Sequence, residues 1–126
     1  MTLPLVSVKV ATYNHEPYLG QCLAGILAQK TDFAFEVVVG EDCSADGTRA
    51  VAESYARAHP DVVRVVAAEA NVGPARNLAR IRAACRGRYE ALCEGDDFWI
   101  HPLKLQRQVD FLEAHSDCGY CFHDVL

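Results

Sequence analysis

Apolar positions along the chain follow two alternating rhythms. Val6, Val8 and Val10 alternate with Ser7, Lys9 and Ala11, the period-2 pattern of a strand. The chain then runs into T-Y-N-H-E-P. Pro17 suits a first helical position, and Tyr18, Leu19, Cys22, Leu23, Ile26 and Leu27 recur at helical spacing. F-E-V-V-V at 35–39 predicts a second strand, and C-S-A-D-G-T after it offers Ser44 or Asp46 as a helix cap. Val51, Tyr55 and Ala58 give the next helix a buried stripe that Pro60 ends. V-V-R-V-V-A at 62–67 predicts a third strand. N-V-G-P then opens a helix with Pro74 near its start, Leu78, Ile81 and Ala84 or Cys85 facing inward, and Gly87 as C-cap. Y-E-A-L-C at 89–93 predicts a fourth strand. Pro102 opens a helix on which Leu105, Val109 and Leu112 share a face, and G-Y-C-F at 119–122 predicts a last strand.

Strands alternating with helices predict an α/β fold: a Rossmann-like, mostly parallel sheet with helices on both faces. The 126 residues suit one domain over 1–126, with no internal repeat, linker or low-complexity segment. Such sheets bind ligands beyond the carboxyl ends of their strands. The polar residues fall there: Thr12, Tyr13 and Asn14 after the first strand, Glu41 and Asp42 after the second, Asn71 to Asn77 after the third, and Glu94 to Asp97 after the fourth.

Composition narrows the classes. With 51% apolar and 23% charged residues the chain is ordinary globular material, and at net charge −5 it has no Lys/Arg cluster to mark a nucleic-acid surface. No apolar run reaches the length of a transmembrane segment, and M-T-L-P-L-V-S-V-K-V lacks the basic region and cleavage site of a signal peptide. Six cysteines without a secretory signal predict a reduced, intracellular chain. Cys118-Gly119-Tyr120-Cys121, flanked by His115 and His123, is a lone C-x-x-C and a weak metal or redox signal.

The acidic stretch E-G-D-D at 94–97 carries the chemistry. Two carboxylates about 4 Å apart at an effective dielectric near 20 repel by roughly 4 kcal/mol. Solvent, protonation or a cation must relieve that repulsion. Successive residues of an extended chain point to opposite sides, so Asp96 and Asp97 suit different tasks. One can accept hydrogen bonds from a sugar or ribose while the other reaches Mg²⁺ or Mn²⁺, hard cations held by one or two carboxylates plus substrate phosphates. A solvated turn capping the next helix is the bland alternative. Glu41-Asp42 forms a second acidic pair, and Asp42 can accept from a base N–H or help to cap a helix. Arg76 stands in the first turn of its helix, where the dipole disfavours a cation, so a ligand phosphate or the acidic edge would explain it. Neither G-x-G-x-x-G nor the G-x-x-x-x-G-K-[ST] phosphate loop occurs, and no Ser-His-Asp arrangement can be inferred.

Four ordered stretches, V-S-V-K-V-A-T-Y-N-H-E-P-Y-L, V-V-V-G-E-D-C-S-A-D-G-T, N-V-G-P-A-R-N and G-R-Y-E-A-L-C-E-G-D-D-F-W, together with P-L-K-L-Q-R-Q-V-D-F-L, cover nearly the whole chain. In this order they resemble the nucleotide-binding part of a family 2 glycosyltransferase with the GT-A fold. The resemblance implies a nucleoside-diphosphate sugar as donor, most often a UDP-sugar, a saccharide or lipid-linked acceptor, and a divalent cation, Mg²⁺ or Mn²⁺. It implies that Thr12, Tyr13 and Asn14 border the nucleoside, that Glu41-Asp42 stands where many members have D-D with Asp42 on the uracil, and that Arg76 lies near the base or phosphates. Asp96 and Asp97 match a D-x-D-like element, with Asp97 the metal ligand and Asp96 shared between metal and donor. Family enzymes are usually longer. The resemblance therefore implies that the acceptor half and the base for inverting transfer are absent, and that this chain alone is inactive; nothing selects His123 or Asp124 as that base. It also suggests polysaccharide or glycolipid assembly, with the protein cytoplasmic or peripheral at the inner face of a membrane. A non-catalytic sugar-nucleotide-binding or assembly module is the alternative. A sugar-phosphate nucleotidyltransferase would want a glycine-rich basic loop in place of T-Y-N-H-E-P, and a receiver domain would want a lysine after a late strand. A last strand left as an open edge would permit a homodimer.

Overall fold

The computed structural model describes residues 2–123. Its elements alternate as the hydrophobic pattern requires: β1 (Val6–Thr12), α1 (Glu16–Leu27), β2 (Phe35–Glu41), α2 (Thr48–Ala58), β3 (Val63–Ala67), α3 (Pro74–Ala84), β4 (Tyr89–Leu92) and α4 (Lys104–Ala114). The four strands form one sheet in the order β3-β2-β1-β4, with every pair parallel. This is the predicted α/β architecture.

Alternation along the strands sorts the faces. Val6, Val8 and Val10 of β1 and Val37 and Val39 of β2 form one core with Leu19, Cys22, Leu23 and Ile26 of α1, Ala52 of α2, and Leu105 and Val109 of α4. The opposite face carries Gly40, against which Ile81 and Asn77 of α3 pack so closely that a methyl group there would overlap both. Two buried faces are what near-continuous apolar parallel strands demand.

Several local expectations change. G-Y-C-F at 119–122 is not a strand; Tyr120 and Phe122 are exposed, and the sheet's outer edge on that side is β4. An apolar run of four residues without a paired edge cannot satisfy its backbone as a ladder. The residue capping α2 is Gly47, not Ser44 or Asp46. Asp46 still performs the bonding of a cap, accepting from the Thr48 N–H (3.0 Å), while Ser44 Oγ accepts from the Asn14 N–H (2.9 Å). The buried face of α2 runs through Ala52, and Ala58 is exposed. Gly87 lies beyond the α3 C-cap, Cys85, and is needed because its backbone passes against Ser7. Pro102 precedes α4 by two residues. Asp124 lies outside the described residues. Among the described residues, no helix is long and apolar enough to cross a membrane.

Candidate functional site

Ladder bonds continue past the strand ends and assemble the site from loops. The Asp42 N–H donates to the Thr12 carbonyl (3.1 Å), Ala68 N–H to Glu41 (3.0 Å), Cys93 N–H to Lys9 (3.0 Å) and Gly95 N–H to Ala11 (3.0 Å). The four polar clusters foreseen from the sequence therefore follow the same, carboxyl, ends of parallel neighbouring strands.

The loop after β1 is fastened to the loop after β2. Asn14 takes a left-handed backbone (φ 55°), and its Oδ1 accepts from the Ala45 N–H (2.9 Å). The His15 N–H donates to Thr48 Oγ1 (2.8 Å), and Glu16 Oε1 accepts from the Gly47 N–H (2.8 Å). Asp46 accepts from the Thr48 hydroxyl, and this bond holds its carboxyl below the usual aspartate range. Thr12 is buried, with Oγ1 3.0 Å from His15 Nδ1, while Tyr13 is exposed.

Glu41 and Asp42 diverge. Glu41 is fully buried; Oε1 accepts from the Ser44 N–H (2.9 Å), and Oε2 has no hydrogen-bond partner among the described residues. Asp42 is 3% exposed and clamps the loop before α3. Its Oδ1 accepts from the Val72 N–H (2.8 Å), and its Oδ2 from the Gly73 N–H (3.0 Å) and Asn71 Nδ2 (3.1 Å). A carboxylate offers about four acceptor directions, so Asp42 keeps capacity for one further donor. Arg76 is exposed in the first turn of α3, directly after this clamped loop, and forms no salt bridge among the described residues.

The turn after β4 brings the third acidic group together. The Asp97 N–H donates to the Glu94 carbonyl (2.9 Å), and Glu94, Asp96 and Asp97 each present a carboxylate oxygen within 4.8 Å of the others. Three exposed hard-oxygen donors at this spacing fit Mg²⁺ or Mn²⁺. Glu94 had no assigned role in the sequence, although it precedes the pair by two residues. His15 was missed altogether: its Nε2 lies 3.9 Å from Asp96 Oδ2, a proximity created by β1 and β4 being neighbours.

Beneath the turn, Cys22 and Cys93 place their sulfurs 3.7 Å apart, and the Cys22 thiol donates to the Glu94 carbonyl (3.4 Å). The hydrogen bond between them raises the Cys22 pKa and lowers that of Cys93. Beside the turn opens a cleft of about 700 Å³, lined by Asp96, Asp97, Phe98, Trp99, Lys104 and Arg107 among others. Lys104 Nζ sits 4.3 Å from the centre of the Trp99 ring, and burial lowers its pKa. The lone C-x-x-C gathers no metal cluster among the described residues: Cys118 is exposed and Cys121 partly so.

The family model for glycosyl transferase family 2 matches residues 7–123. The chain belongs to glycosyl transferase family 2. Among relatives of this family member is the putative teichuronic acid biosynthesis glycosyltransferase TuaG of Bacillus subtilis, 36% identical over 121 residues, or 94% of this chain. The fold of this chain is that of the matching part of solved GT-A glycosyltransferases. The mannosyltransferase PcManGT from Pyrobaculum calidifontis, in complex with GDP-Man and Mn²⁺, superposes with a TM-score of 0.77 at 29% identity over 89% of this chain. S. aureus TarS 1-349 in complex with UDP-GlcNAc superposes with a TM-score of 0.76 at 31% identity over 88% of it. The family member spans 46% of TuaG and about a third of other curated relatives and of both solved chains, at 35%, 33% and 32%.

Proposed function

We propose that this chain is the donor-binding part of an inverting, metal-dependent glycosyltransferase. It would transfer a sugar from a nucleoside-diphosphate sugar, a UDP-sugar by preference, to a saccharide or lipid-linked acceptor. The observation that carries the reading is the Glu94–Asp96–Asp97 carboxylate group on the same sheet edge as the Asp42 clamp. The nucleotide complexes of PcManGT and TarS support it by likeness, and the Mn²⁺ in the former supports the cation.

In this reading Asp97 and Asp96 hold Mg²⁺ or Mn²⁺, with Glu94 completing the oxygen set. When bound, the cation would neutralise charge on the leaving diphosphate as a Lewis acid. The chain's own residues do the rest. Thr12, Tyr13 and Asn14 border the nucleoside on a loop that α2 fixes. Asp42 uses its remaining acceptor capacity on the base N–H, and its clamp on residues 71–73 fixes the start of α3. Glu41 lies below the surface and sets the loop after β2 through Ser44. Arg76, exposed at the same helix start, offers a cation to the base or the phosphates. The acceptor site and the base belong to polypeptide that longer relatives have and these residues do not match, so the chain alone is expected to bind donor without turnover. Polysaccharide assembly is the setting that the name of the teichuronic acid relative supports; a cytoplasmic position, peripheral at the inner face of a membrane, is part of the same proposal.

Calorimetric titration of UDP, with and without Mn²⁺, into this chain and its Asp97→Ala variant tests the reading. UDP should bind more tightly with Mn²⁺, and the variant should lose that gain. An unchanged variant, or indifference of UDP binding to Mn²⁺, would overturn it. GDP in place of UDP reports which base the pocket prefers.

A further inference from the structure

We propose that His15 is a positioning residue for the metal-binding carboxylates, acting on Asp96 through a Thr12–His15–Asp96 chain; this rests on the donor-site reading above. The histidine is held from every side but one. Its N–H donates to Thr48 Oγ1 (2.8 Å), and its carbonyl accepts from the N–H groups of Tyr18 and Leu19 (2.9 Å each). Its ring Nδ1 lies 3.0 Å from Thr12 Oγ1, on a threonine that is itself 2% exposed. Gly95 packs against this pair so closely that a methyl group on it would strike both Thr12 Oγ1 and the ring. The ring and the carboxylate turn are therefore one packed unit, and glycine at 95 is what lets them meet.

The other ring nitrogen, Nε2, lies 3.9 Å from Asp96 Oδ2. The Thr12–Nδ1 contact takes either direction according to the tautomer; in the tautomer where the Thr12 hydroxyl donates, the ring proton sits on Nε2 and faces the carboxylate. Asp96 is exposed and has no other partner among the described residues, so nothing else restrains its rotamer. His15 stays outside the set of oxygens that lie mutually within 4.8 Å, which separates it from the ligands themselves. A group that orients a ligating carboxylate from behind typically changes metal affinity about 10- to 100-fold when removed.

The test compares His15→Leu, which keeps bulk without an N–H, with His15→Gln, which restores one. Mn²⁺ binding is read in the presence of UDP from the loss of the free-ion electron paramagnetic resonance signal. Metal-free UDP affinity and melting temperature are measured alongside. The expected result is about 10-fold weaker Mn²⁺ binding for His15→Leu, recovery to within about 3-fold for His15→Gln, and unchanged metal-free UDP affinity in both. Wild-type Mn²⁺ affinity in His15→Leu would overturn the positioning role alone. Equal weakening in both variants would also overturn it, by making the residue a packing element. A wild-type chain that binds no Mn²⁺ with UDP would overturn the donor-site reading, and this inference with it.

Discussion

Asn14 and Cys43 hold the loops of the site in a backbone conformation that most residues avoid, at φ 55° and 59°. Left-handed backbone costs an ordinary residue roughly 1–2 kcal/mol, and asparagine is among the few that tolerate it. Asn14 adds a hydrogen bond to the Ala45 N–H, so its side chain and its backbone serve the same clasp. Asn14→Ala should lose about 2 kcal/mol in urea unfolding, and Asn14→Gly about 1, because glycine forfeits the hydrogen bond but not the torsion. Equal losses would remove backbone strain from the account. Among the described residues the Cys43 thiol hydrogen-bonds only the Glu69 carbonyl (3.5 Å), so Cys43→Gly should be neutral or stabilising by up to about 1 kcal/mol in urea unfolding. The carboxylates of this site were legible in the sequence because charged residues at the ends of apolar runs stand out. The left-handed torsions and His15 were not: Asn after a strand signals a turn without saying which, and a histidine's neighbours depend on strand order.

Periodicity located the eight elements because each buries one face or two, and burial repeats with the geometry of the backbone. It failed where an apolar run was short and its burial depended on something absent from the pattern. G-Y-C-F resembles a strand in composition, yet it stays off the sheet. Helix ends slipped by a residue or two for a related reason. Asp46 does bond the first turn of α2, but from one position before the cap, while Asn14 claims Ser44. The contact between β2 and α3 was equally invisible, since a glycine in a strand announces a close approach without naming the partner. Gly40→Ala would drive a methyl group into Ile81 and Asn77, and Asn77 also donates to the Gly40 carbonyl (3.0 Å). Pushing α3 outward would drag residues 71–73 away from Asp42. The expected loss is about 2–3 kcal/mol of unfolding free energy, read from urea unfolding, with weaker UDP binding. Combining it with Ile81→Val, which makes room, should recover part of both; no recovery would mean that α3 does not transmit the clash.

Across the whole molecule the two ends of the sheet handle acid in opposite ways. At the carboxyl end Glu94, Asp96 and Asp97 share one turn with no lysine or arginine bonded to them among the described residues, an arrangement compatible with the cation proposed there. Toward the amino end Glu36 is buried and fully matched. Ser7 donates to it (2.6 Å), as do the Arg86 N–H (2.7 Å), Arg64 Nη2 (2.7 Å) and Arg86 Nε (3.0 Å). No sequence pattern announces this cluster, because it needs Ser7 beside Glu36 in the β1–β2 register and Arg64 on β3 opposite Val38, two residues further along β2 than Glu36. Burial alone would raise the Glu36 pKa; the four donors outweigh it and lower the value from 4.5 to about 2. A carboxyl with a depressed folded pKa contributes its stability fully above the unfolded value and loses it as pH falls through the folded one. Glu36 should therefore contribute roughly 3 kcal/mol at neutral pH, declining between about pH 4.5 and 2. Glu36→Gln leaves Arg64 and Arg86 without their anion and should cost about 3 kcal/mol at pH 7. The unfolding free energies of wild type and variant should then converge as the pH is lowered toward 2. A gap that stays constant over that range would show that the glutamate acts through shape and hydrogen bonding alone, with its charge contributing nothing to stability.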